Sequence, residues 1–134
     1  MLSRSLETLK GCPQEVGRHF YCSFCEKLKS LDGCPREIGG DFECWGCTKL
    51  KSLKGAPEKV GYSFKCSHCL KLTSLKGCPN EIGGRFDCND CPKLESLEGA
   101  PKEVDGDFEC KSCGNKFTKN DVKKISNVKG KIKV

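Results

Sequence analysis

Five C-x-x-C pairs punctuate this chain: Cys22/Cys25, Cys44/Cys47, Cys66/Cys69, Cys88/Cys91 and Cys110/Cys113. Two thiolates at this spacing reach one metal ion, and a second pair completes a tetrahedral zinc site. Iron–sulfur ligation draws on the same donors. Thioredoxin-like redox chemistry also needs a helix start to lower the thiol pKa, and none is expected beside these pairs. Cys110/Cys113 is the most ligand-like pair, because Gly114 and a change of composition follow it. With Cys88/Cys91 one repeat earlier, it makes the zinc alternative Cys88, Cys91, Cys110 and Cys113.

The positions of the pairs favour another use. Both cysteine columns step by 22 residues without insertion or deletion, and so does Phe20, Phe42, Phe64, Phe86, Phe108. Val16, Ile38, Val60, Ile82 and Val104 keep the same step, as do the leucines Leu28 to Leu94 and Leu31 to Leu97. Each Cys therefore fills a slot that the repeat must fill anyway, and a buried Cys behaves as a small hydrophobe. A third column, Cys12, Cys34 and Cys78, is interrupted by Ala56 and Ala100, and Ala replaces a core residue but not a ligand. Five pairs also do not divide into four-ligand sites without a remainder. The expectation is core thiols and no cofactor, with zinc or disulfides as the alternatives.

A unit of about 22 residues with turns at Gly-x-Pro and Gly-Gly is too short to bury its apolar face alone. It must stack on its neighbours. Only Phe-x-Cys keeps the period-2 step of a strand, so one short strand per turn is expected. The fold class is mainly β: a short solenoid with a parallel inner sheet, an extended outer side, and a small C-terminal cap carrying a short helix.

In the second unit, Ile38, Phe42 and Cys44 fall near the leading positions of the leucine-rich-repeat signature L-x-x-L-x-L-x-x-(N/C)-x-L. Cys47 falls on its Asn/Cys position, and Leu50 and Leu53 follow. The unit thus resembles a leucine-rich repeat. The Leu-x-Ser-Leu-x-Gly-x-Pro return is similar to short repeats of bacterial effector proteins. The whole unit looks still more like repeats in bacteriophage and large-virus proteins. That resemblance implies a viral accessory protein acting on a host factor in the host cytoplasm.

Residues 1–113 read as the solenoid, a half-coil followed by five turns. Residues 114–134 read as a basic cap, with Thr118 as N-cap of a short helix, Asp121 at the capping-box position, Val122 and Ile125 facing the last coil, Asn127 opening a turn, and Ile132 and Val134 in a closing strand. The net charge of +6 is unevenly spread: residues 1–110 carry −1 and residues 111–134 carry +7. A nucleic-acid reader places positive charge along its binding face. A charge confined to one end reads as a solvated cap, and nucleic-acid binding through it is the lesser alternative. The opening Met1-Leu2-Ser3-Arg4-Ser5 has no apolar run of secretory type, and no segment reaches the roughly 18 apolar residues of a membrane span. A cytoplasmic protein with reduced thiols is expected, monomeric or weakly dimeric.

The positions flanking each strand vary and offer a recognition surface. Tyr21, Phe24 and Trp45 gather aromatic side chains on the first two coils, with His19 beside them. Aromatic clusters of this kind dominate binding hot spots. A protein partner is expected at His19, Tyr21, Phe24, Glu43, Trp45, Lys65 and His68. Both histidines are expected to face outward rather than to bind metal. No Ser/His/Asp arrangement, phosphate-cradling loop or carboxylate pair points to an enzyme.

Overall fold

A computed structural model describes residues 4–134. Met1-Leu2-Ser3, on which the reading of the opening segment partly rests, lies outside the described residues.

The chain winds as a β-solenoid of about five turns with a 22-residue step, and two short strands form in each turn rather than one. The first sheet stacks β1 (Glu15–Val16), β3 (Glu37–Ile38), β5 (Lys59–Val60), β7 (Glu81–Ile82), β9 (Glu103–Val104) and β11 (Asn127–Val128). The second stacks β2 (Phe20–Tyr21), β4 (Phe42–Glu43), β6 (Phe64–Lys65), β8 (Phe86–Asp87), β10 (Phe108–Glu109) and β12 (Ile132–Lys133). All pairings are parallel, with Phe on Phe and Val on Ile in register. The expectation of a single strand per turn fails because a two-residue strand is too short to display alternation. Its pairing partner lies a full turn away, where local pattern cannot see it.

Between the sheets lies one continuous core. Phe42, Phe64, Phe86 and Phe108 are fully buried, and their rings follow one another at centroid distances of 4.8, 5.8 and 5.0 Å. The two leucine columns and the first Cys column fill the rest of the cross-section. Phe20 and Val16, in the first complete turn, are only half-buried.

The Leu-x-Ser-Leu return owes its shape to the serine. Ser30, Ser52, Ser74 and Ser96 each accept, through Oγ, the backbone N–H two residues on, at 3.1–3.3 Å, and Thr8 does the same in the half-coil. These local bonds close the bend that the following glycine completes.

The C-terminal segment extends both sheets. β11 and β12 pair with β9 and β10 at a step of 24 residues, the helix α1 (Lys119–Lys123) taking the place of the outer return. Thr118 caps α1 in a reciprocal capping box with Asp121, as expected. Val122 is buried, and Ile125, 40 % exposed, lines a groove with Leu97 and Ala100 of the last coil. Asn127 begins a strand, not a turn. Lys129 and Lys133 pair with Asp105 and Asp107 of the preceding turn, which absorbs part of the cap's charge. Among the described residues, no helix is long and apolar enough to cross a membrane.

Candidate functional site

Two clusters stand out on this frame, one aromatic and one of thiols. The bend after the first Cys of each pair holds a residue at left-handed φ: Phe24 (60°), Gly46 (72°), His68 (55°), Asp90 (56°) and Ser112 (55°). A non-glycine residue there is uncommon, and the conformation costs roughly 1–2 kcal/mol. It turns these side chains outward along one edge of the solenoid. Gly46 leaves a gap in the column. A Cβ at that position would stand 3.0 Å from the Phe24 ring. Trp45 packs edge-on to Phe24 at 4.7 Å and to His68 at 4.6 Å, so three rings from three successive turns form a continuous run. Arg4, from the half-coil, lies over the Phe24 ring at 5.2 Å.

The structure splits the predicted aromatic group. Tyr21 stacks on His19 at 5.7 Å, a pair separate from the Phe24–Trp45–His68 run. His19 also has a structural task, because its Nδ1 accepts the Asp41 N–H at 2.9 Å. Asp41 accepts in turn from Ser63 N–H, and Ser63 from Arg85 N–H. In this column His19, Asp41, Ser63 and Asp107 each accept one backbone N–H of the next turn, a side-chain ladder interrupted at Arg85. Beside it, Glu43 and Lys65 form an ion pair at 3.3 Å, each about a quarter exposed. His68 faces outward, 3.3 Å from the Asp90 carboxylate.

The cysteines fill the interior. Cys22, Cys44, Cys66 and Cys88 are fully buried, and so are Cys25, Cys47, Cys69 and Cys91. The second thiol of a pair donates to the carbonyl of the first Cys one turn back: Cys47 to Cys22 O at 3.1 Å, Cys69 to Cys44 O at 3.3 Å, Cys91 to Cys66 O at 3.4 Å and Cys113 to Cys88 O at 3.3 Å. Each of these second thiols therefore satisfies a backbone carbonyl of the preceding turn. Burial pushes the Cys34 thiol up to about 12 and holds Cys66 and Cys78 well above the ordinary thiol range.

The last pair departs from this pattern. Cys110 and Cys113 bring their sulfur atoms to 2.8 Å, and Cys113 is only half-buried. Thiol hydrogen bonds from Cys110 and Cys88 favour the Cys113 thiolate and pull its pKa down to about 4, while Cys110 moves the other way. Cys88, Cys110 and Cys113 place their sulfurs within 4.8 Å of one another. Cys91, the fourth member of the predicted zinc set, stays out of this group. Its thiol is directed to Cys66 O at 3.4 Å and Asn89 O at 3.6 Å.

No protein family, curated protein or solved structure matches this chain.

Proposed function

We propose that the protein is a non-enzymatic binding module that holds a protein partner along the edge formed by Phe24, Trp45 and His68, with Tyr21 and the Glu43–Lys65 pair at its rim. The observation that carries this reading is the ring run across three turns. Partly exposed aromatic rings next to a charged rim have the make-up of a hot spot, an apolar anchor surrounded by polar contacts. Stacked turns present such rings on a rigid frame, which lowers the ordering cost of binding. The partner that fits is a protein surface offering an apolar or aromatic anchor side chain.

The leucine-rich-repeat likeness and the resemblance to bacteriophage and large-virus repeats support placing that partner among host proteins of the cytoplasm. On this reading the chain works as a monomer or weak dimer, and the basic cap is solvated.

Affinity capture from a host lysate, run in parallel with the wild type and a Trp45→Ala/Tyr21→Ala variant, tests the reading. The expected result is a protein retained in about equimolar amount by the wild type and lost by the variant, with both circular dichroism spectra alike. Truncating a central hot-spot aromatic costs about 2 kcal/mol or more, roughly a thirtyfold loss of affinity. A partner retained equally by the variant places the site elsewhere.

A further inference from the structure

We infer that Cys88, Cys110 and Cys113 form a three-thiolate site for zinc, open at its fourth position, at the C-terminal end of the core. The inference is independent of the protein-binding reading, which uses the opposite end of the solenoid.

Three observations carry it. First, the three sulfurs already lie within 4.8 Å of one another, the one such group of three among the described residues. Two thiolates on a tetrahedral zinc at about 2.3 Å stand about 3.8 Å apart. The Cys110–Cys113 pair, at 2.8 Å, has to open by roughly 1 Å. Second, the donors come from two successive turns: Cys88 and Cys110 directly follow the paired strands β8 and β10, and Cys113 stands three residues on, in the bend. Third, this is where the thiol columns meet the surface. Cys113 is half-buried, whereas its counterparts Cys25, Cys47, Cys69 and Cys91 are fully enclosed. The next residue in the strand column after Cys110 is Val134, two beyond Ile132, so the column changes from sulfur to hydrocarbon at this point.

Soft thiolates select zinc over the hard divalent cations. Three protein ligands leave one tetrahedral position for water or an incoming donor, the arrangement of an exchangeable site rather than of a closed structural one. Metal binding releases the thiol protons, and the +2 charge offsets three clustered thiolates that would otherwise repel one another.

The test uses the full chain, reduced and stripped of metal, titrated with zinc chloride against a chromophoric chelator. The expected result is one zinc per chain, weakened at least about tenfold by Cys113→Ser or Cys110→Ser and unaffected by Cys91→Ser. Circular dichroism checks that each variant is folded; Cys113→Ser, at the half-exposed position, is the variant least disturbing to the core. Cobalt(II) in place of zinc gives thiolate charge-transfer absorption, and added imidazole shifts its ligand-field bands by entering the fourth position. Three results each overturn the inference: no zinc held by the reduced wild type, Cys91→Ser as damaging as Cys113→Ser, or several zinc ions bound with no response to Cys113→Ser.

Discussion

Gly11 and Gly77 hold the same place in the repeat and the same left-handed backbone, at φ 92° and 97°, yet their surroundings differ. A Cβ on Gly11 meets nothing within 4 Å, while one on Gly77 would lie 2.3 Å from the Leu53 carbonyl oxygen of the preceding turn. Gly11→Ala then carries only the conformational cost, about 1–2 kcal/mol. Gly77→Ala carries that cost plus a backbone shift between two turns, and should exceed Gly11→Ala by at least about 1 kcal/mol. Urea denaturation of the two variants measures the difference. Equal midpoints would mean that the turns are not packed this closely. Position in the stack separates the thiols in the same way. Those in the middle of the stack are enclosed by a turn on either side, and Cys113 is not.

At the scale of the element, the short helix α1 illustrates how little a five-residue helix can hold by itself. It depends on its cap and on the buried Val122. Thr118 Oγ1 accepts the Asp121 N–H at 3.1 Å, and Asp121 Oδ2 accepts the Thr118 N–H at 2.8 Å. Those bonds favour the Asp121 carboxylate and hold its pKa below the usual range. Thr118→Ala should cost about 1 kcal/mol, read as a lower melting temperature with the β-sheet signal retained. An unchanged melting temperature would show that the helix contributes nothing to closing the last turn. The strands make the complementary point, since two residues of ladder per sheet per turn become stable only by repetition.

Over the whole molecule the buried thiols set a pH limit. Burial raises Cys34 to about 12 from an ordinary 9.0, and Cys66, Cys78 and Cys88 are likewise raised well above it. An unfolded chain ionises these thiols first. Stability from them is therefore complete below about pH 8.5 and is lost as pH rises toward the folded values, by about 1.4 kcal/mol per thiol per pH unit. The melting temperature should fall steeply above about pH 9, where these thiols ionise in the unfolded chain but not in the folded one. Cys34→Ala, which installs the residue already present at Ala56 and Ala100 in the same column, should make that fall shallower by one proton's worth. A melting curve flat to about pH 10 would contradict enclosed thiols.

The 22-residue step, the Phe, Leu and Cys columns and the capped helix were legible in the residues themselves. Apolar side chains recurring in strict register have one economical arrangement, stacked turns around a shared core, and Thr118 with Asp121 is a local signal. The second sheet was not legible, because Glu-Val and Glu-Ile segments show no period within two residues and acquire one only through partners 22 positions away. The polar ladder through His19, Asp41 and Ser63 was hidden for the same reason: each side chain serves a backbone donor in the next turn. Spacing along the chain proposed four cysteines for a metal and one aromatic cluster. Three-dimensional placement separates Cys91 from the other three, and Tyr21 from Trp45, because the direction of each side chain depends on the bend that carries it.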